Sequence, residues 1–230
     1  MNAVVKYAGR PVTFCDPDPV DWVERQLLRG QWFESANLEF IRGLQVGGNY
    51  VDAGAFVGTH AIFFSLFCPA SRIYAFEPQP VSYAKLARNI EVNGIANCQI
   101  FNTALSDSPG RGSLRQVYWT EVVNRGGAEL LPGDEVQAAT LDSFCLPPIS
   151  LMKVDVEGSE LRVLHGARET LHDVGHLFVE MWPESRCLER GLDYTIPKVT
   201  EFLARYGLHL RRELPTDCLF YFSREPGGSA

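Results

Sequence analysis

The 230-residue chain carries 21 Lys and Arg against 28 Asp and Glu, a formal net charge of −7, with 46% hydrophobic residues. That length suits one well-buried α/β domain and is short for two, and an acidic balance without a basic run argues against nucleic acid as substrate. The six cysteines form no C-x-x-C pair, residues 1–21 lack an apolar signal core, and no apolar run reaches the ~20 residues of a membrane span, so a cytoplasmic enzyme with reduced thiols is expected.

Residues 1–48 read as an N-terminal helical cap. Its helical pattern runs over 17–46, breaks at Arg29-Gly30 and carries apolar stripes at Trp22, Val23, Leu27, Leu28 and at Leu38, Phe40, Ile41, Leu44. A strand follows at 49–53, then a glycine turn and a nearly all-apolar helix over 58–67. A second strand at 72–76 leads to a helix over 80–93, opened by Pro80 and closed by Gly94. A third strand is expected at 98–103.

Residues 107–140 break this rhythm. Pro109-Gly110, Gly112, Gly126-Gly127 and Pro132-Gly133 separate β-like runs at 113–119 and 135–140, which predicts a hairpin-like insertion with a mobile tip. A short helical turn (141–145), a strand (149–156), a helix (159–171), a strand (176–181) and a helix (196–206) follow. Residues 208–214 and 218–223 read as a closing antiparallel pair, and 224–230 as a frayed tail. The whole chain thus reads as a single domain with its core at 49–223. Strands alternating with helices imply a mostly parallel sheet covered by helices on both faces, with ligands at the carboxyl ends of its strands.

Two segments at such strand ends form a candidate nucleoside pocket. Asp52-Ala53-Gly54-Ala55-Phe56-Val57-Gly58 is a strand end, a glycine turn and a helix start; Glu77-Pro78 closes the next strand with an acid suited to two ribose hydroxyls. Asp52 is a candidate for the cofactor amino group or for the loop amides. The adenine is expected near Thr103-Ala104-Leu105, with Ser106-Asp107 within reach of its exocyclic amine. The spacing Gly54-x-x-x-Gly58 is not the dinucleotide fingerprint G-x-G-x-x-G, and Phe56 crowds the place of a pyrophosphate. S-adenosylmethionine fits better than NAD, which stays as the alternative.

Lys153-Val154-Asp155-Val156-Glu157-Gly158-Ser159-Glu160 ends the fourth strand, and Glu180 ends the next. Asp155, Glu157 and Glu180 are expected to converge as the catalytic carboxylates. Held close, they raise one another's pKa and make one a general base; a divalent metal on the same three is the less favoured reading. Glu34, His60, Asn124, Arg125 and Trp182 are candidates for the acceptor site, with Trp119 in the insertion. His165, His172, His176 and His209 read as surface or packing residues.

Taken in order, several stretches resemble the FkbM-type S-adenosylmethionine-dependent methyltransferases. They are Gln31-Trp32-Phe33-Glu34, Val51 to Thr59, Ala75-Phe76-Glu77-Pro78, Leu86 to Gly94, Ala104-Leu105-Ser106-Asp107, Thr140-Leu141-Asp142 and Met152 to Glu160. The resemblance implies the class I methyltransferase fold, a Rossmann-like, seven-stranded, mostly parallel sheet with a reversed final hairpin. It implies methyl transfer to a hydroxyl of a sugar, glycan, lipid or secondary metabolite. The expected cofactor set is Asp52, Gly54, Ala55, Phe56, Gly58, Thr59, Glu77, Pro78, Ala104, Leu105 and Asp155. The chain departs from the family at Phe56, where Asn is usual. N-methylation, a nicotinamide-dependent oxidoreductase and a non-catalytic nucleoside-binding module are the rivals. The Asp/Asn-Pro-Pro-Tyr motif of amino-methylating enzymes is absent. A small-molecule or glycan acceptor is the expected partner, and a homodimer is left open.

Overall fold

The computed structural model describes residues 1–116, 123–190, 194–215 and 218–224. Trp119 and residues 225–230 of the expected tail lie outside them. The chain opens with strands β1 (Ala3–Tyr7) and β2 (Arg10–Phe14), then helices α1 (Trp22–Leu28) and α2 (Ser35–Gly43). The core follows as β3 (Gly48–Ala53), α3 (Thr59–Phe67), β4 (Ala70–Phe76), α4 (Pro80–Val92) and β5 (Cys98–Phe101). Next come β6 (Ala104–Leu105), β7 (Gly110–Gln116), β8 (Ala128–Pro132) and β9 (Val136–Ala139). The remainder is β10 (Ile149–Val154), α5 (Glu160–His165), β11 (His176–Glu180), α6 (Glu184–Arg190), α7 (Ile196–Ala204), β12 (His209–Glu213) and β13 (Leu219–Ser223).

The main sheet has seven strands in the order β12-β13-β11-β10-β3-β4-β5. Neighbours from β11 to β5 pair in parallel, and β13 runs antiparallel to both β11 and β12. Pleating sends alternate residues into two separate cores. Tyr50, Ile73, Leu151 and Phe178 pack with β1, β2 and α1 to α4, whereas Val51, Tyr74, Met152 and Val179 pack with α5 and α7. The sheet is therefore apolar on both faces, as a parallel sheet must be. From β3 the chain runs outward to β4 and β5, and it returns at β10 on the other side. The ends of β3 and β10 thus flank the switch point where such sheets bind ligands.

Four expectations need correction. The N-terminal cap is not all helical. Its first strands form a hairpin with Tyr7 opposite Arg10, turned through Ala8 (φ 47°) and Gly9 (φ 80°), the two left-handed positions of a tight two-residue turn. The insertion is more than a hairpin. β7 pairs antiparallel with both β8 and β9, and β9 pairs in parallel with β6, so a four-stranded sheet grows from the core. The helix expected over 159–171 ends at Gly166, and a separate 3-10 turn covers Thr170–His172. Arg224 is not frayed either: its guanidinium donates to the carbonyls of Leu171, His172 and Val174.

Candidate active site

A cavity of about 300 Å³ opens at the carboxyl ends of β3, β4, β10 and β11. Segments of the N-terminal region and of the insertion form its upper wall. Gly54 has φ +83°, and a Cβ there would lie 1.8 Å from the Asp155 carbonyl oxygen. The glycine is required because the loop after β3 is pressed against the backbone leaving β10. Gly54 and Ala55 both donate to the Phe76 carbonyl, at 3.0 and 2.9 Å, which ties the turn to the end of β4. Gly58 serves packing instead of the cavity: its Cβ would meet Leu86 at 2.6 Å.

Glu77 stands where the ribose clamp is expected. It is buried, and its Oε2 accepts the Phe56 N–H at 2.8 Å while Oε1 accepts the Gln79 N–H at 2.7 Å. Burial pushes its pKa up to about 7, against the pull of those two N–H donors. Each oxygen keeps a second lone pair for a ligand hydroxyl. Ala55, Thr59, Pro78, Ala104 and Leu105 lie on the cavity wall, as does Phe56. Phe56 has φ +49°, a left-handed conformation that suits Asn better than Phe. Its ring packs on Gly126 of the insertion. Asp52 is the exception among the expected cofactor residues. It is fully buried beneath the loop, off the wall, facing Lys153 at 3.5 Å.

Asp155, Glu157 and Glu180 do converge, with one carboxylate oxygen from each within 4.8 Å of the others. Lys153, only 2% exposed, lies beside them with Nζ 3.0 Å from Asp155. Burial raises the Asp155 pKa, but the Lys153 ammonium and a hydrogen bond with Glu180 together outweigh it and hold the carboxyl below its ordinary value. Glu180 moves the other way. Burial first, then the charges of Asp155, Glu157 and Glu160, push it well above the carboxylate range. The two carboxyls of the Asp155–Glu180 pair are thus pushed in opposite directions, Asp155 toward the ionised form and Glu180 toward the protonated form. Asn124 donates to Glu157 at 3.3 Å. Three carboxylates are a donor set suited to a hard divalent cation, although Lys153 already supplies positive charge to Asp155.

On the acceptor side, Glu34 and His60 share the wall, and His60 Nε2 lies 3.0 Å from Glu34 Oε2. Two expected acceptor residues sit elsewhere. Arg125 pairs with Asp18, and its N–H donates to Asp21 at 2.7 Å, which turns it from the cavity. Trp182 is buried behind the wall, and the Arg186 guanidinium stacks 4.8 Å from its ring centre. Arg186 reaches the wall in its place. Trp22, Phe33, Leu114 and Leu130 also line the cavity and were missed. Leu114 falls in the β-like run expected at 113–119, which is the signal that could have found it.

A family model described as the methyltransferase FkbM domain matches residues 52–209. The chain belongs to the FkbM family of S-adenosylmethionine-dependent methyltransferases. Among curated relatives of this family member, methyltransferase sdnD of Sordaria araneosa is 30% identical over 59% of this chain and 66% of its own length. The hexuronic acid methyltransferase AglP of Haloferax volcanii is 31% identical over 56% of this chain and 54% of its own length. The 2-O-methyltransferase NoeI of Sinorhizobium fredii is 26% identical over 56% of this chain and 61% of its own length. The chain thus spans between about half and two thirds of these relatives. A crystal structure of methyltransferase FkbM from Methylobacillus flagellatus shares the fold, with TM-score 0.57 at 19% identity over 87% of this chain and 52% of that one. No described helix of this FkbM-family chain is long and apolar enough to cross a membrane.

Proposed function

We propose that this protein transfers the methyl group of S-adenosylmethionine to a hydroxyl of a sugar or sugar-like molecule. One observation carries the reading: a single cavity runs from Glu77 and the glycine loop to the Asp155–Glu157–Glu180 cluster. The first end offers a buried acid to the ribose. The second offers hydrogen-bonding groups to a polyhydroxylated acceptor beside the methyl group. The names of AglP and NoeI support oxygen on a sugar as the methyl acceptor.

S-adenosylmethionine supplies a methyl group already activated by positive sulfur. The chain's own task is alignment, because holding two reactants in line removes most of the entropic barrier. Gly54 to Phe56 fix the cofactor's middle, and Glu77 holds its ribose. Asp155 and Glu180 present several lone pairs, enough to fix an acceptor carrying neighbouring hydroxyls. Phe56, Leu114 and Leu130 exclude water from the cofactor's apolar side.

The test is incubation of the full chain with methyl-labelled S-adenosylmethionine and a panel of methyl glucuronoside, methyl glucoside, an amino sugar and host extract, with and without chelator. The methylated product is identified by mass. Label on a sugar oxygen is the expected result. Label confined to nitrogen, or binding of NADH but not S-adenosylhomocysteine in calorimetry, would overturn it.

A further inference from the structure

We infer that His60, held by Glu34, is the base that takes the proton from the acceptor hydroxyl. This rests on the O-methyl-transfer reading above. The two side chains are each 4% exposed, come from different elements and meet at 3.0 Å on the wall of the reaction cavity. A buried acid–imidazole pair on a cavity wall is the arrangement in which one group orients the other for proton transfer.

Glu34 shows how strongly the fold favours this contact. It occupies the N-cap position of α2, yet its side chain makes no capping bond to that helix. Its backbone is left-handed, with φ +52°, a conformation unfavourable to a non-glycine residue. The carboxylate is directed at His60 instead. Nε2 is the ring atom that faces Glu34, at 3.0 Å, and the tautomer with its proton there leaves Nδ1 as the basic nitrogen of the ring. His60 is the second residue of α3, whose N-terminal dipole disfavours a resting imidazolium. Glu34 pulls the other way.

The opposite wall suits the role less well. Asp155 is paired with Lys153 at 3.0 Å, which lowers its pKa and weakens it as a base. The charged groups that share this cavity with His60 are Glu34 at the start of α2, Glu77 after β4, Lys153, Asp155 and Glu157 at and after the end of β10, Glu180 at the end of β11, and Arg186 of α6. Positive charge on His60 and negative charge on Asp155 stabilise each other. An imidazolium formed during the reaction is therefore met by Asp155 as well as by Glu34.

The step balances as follows. The acceptor oxygen forms a bond to the methyl carbon as the carbon–sulfur bond breaks, and its electron pair returns to sulfur to give neutral S-adenosylhomocysteine. The hydroxyl proton moves to Nδ1 of His60 and leaves to solvent once the product departs.

The first test needs no acceptor. Nitrogen NMR of the histidine rings in the S-adenosylhomocysteine-bound chain should find His60 neutral at pH 8, protonated on Nε2, and charged at lower pH. An imidazolium that persists through pH 9 overturns the proposal, because such a ring has no lone pair to offer. The second test uses the acceptor found above. His60→Gln and Glu34→Gln should each lower kcat about 100-fold or more and leave the dissociation constant of S-adenosylhomocysteine within about threefold. The acid limb of the wild-type pH–kcat profile should vanish in His60→Gln, and added imidazole should restore part of the rate to His60→Gly. Wild-type kcat in His60→Gln with the acid limb intact overturns the proposal. A wild-type protein that methylates no hydroxyl overturns the underlying reading, which the NMR result distinguishes from a failure of His60.

Discussion

The carboxylate of Glu77 accepts the backbone N–H of Phe56, 21 residues earlier, at 2.8 Å. The acid at the end of β4 thus also shapes the loop at the end of β3. Glu77→Ala removes both a ligand contact and a loop support. It should weaken S-adenosylhomocysteine binding by about 1.5–3 kcal/mol, the range for hydrogen bonds to a charged group. Calorimetry checks this, and unchanged affinity would remove Glu77 from the ribose site.

Lys153 is the buried cation between Asp52 and Asp155. Lys153→Met leaves two acids without their counter-charge and should cost about 3–5 kcal/mol, as when one partner of a buried ion pair is removed. Adding Asp52→Asn should recover part of that loss. Urea unfolding of the single and double variants measures both. A double variant no more stable than the single one would mean that Asp52 is held by something other than Lys153.

Glu160 sets a pH dependence. Its Oε1 accepts the N–H groups of Gly158 and Val156, at 2.9 and 3.2 Å, and burial pushes its pKa up from 4.5 to about 7. A raised acid favours the folded state while protonated. Its contribution is therefore complete below the unfolded value and is lost as pH climbs through about 7. Glu160→Gln keeps an oxygen for both bonds and cannot ionise. It should unfold at a temperature several degrees above the wild type at pH 8, from an upper bound of ~3 kcal/mol, with the gap closing near pH 5. Thermal melts across that range decide it, and a gap independent of pH would rule out ionisation as its cause.

Gly54→Ala places a methyl group where the Asp155 carbonyl stands. The loop must move away from β10, at a cost of about 2 kcal/mol or more from strain alone. Loss of S-adenosylhomocysteine binding in a protein that still folds is expected, read by calorimetry and circular dichroism. Retained affinity would mean that the loop shifts without disturbing the pocket.

The core was legible because its signals are local. A glycine turn after an apolar strand, Pro80 at a helix start and Gly94 after its end each fix an element boundary by backbone sterics alone. The meeting of Asp155, Glu157 and Glu180 was legible because adjacent parallel strands bring their ends together. The N-terminal hairpin was not, since Ala8-Gly9 lacks the Asn-Gly or Asp-Gly signal that marks such turns. β8 was hidden because it begins directly after Gly126-Gly127 and ends on Pro132, and both pairs read as breakers. Arg125 and Trp182 were misplaced for another reason. Their residue types suit an acceptor site, but Asp18 and Arg186 decide where they point, and sequence spacing carries no information about such distant partners. The pairing of Glu34 with His60 was invisible for the same reason, although both were singled out.

Asp21 has no exposed surface, and its two oxygens accept the N–H of Glu24 and, across 104 residues, the N–H of Arg125. The N–H of Trp22 reaches the Val123 carbonyl beside it, at 2.8 Å. The roof over the cavity is thus fastened by two stretches that are made far apart in time on the ribosome. A nascent chain that has not yet passed residue 125 has the glycine loop, Glu77 and the local Asp21–Glu24 contact, but not the N–H of Arg125 for the second oxygen of Asp21. The nucleoside end of the site is translated first, and its cover is latched only later in synthesis.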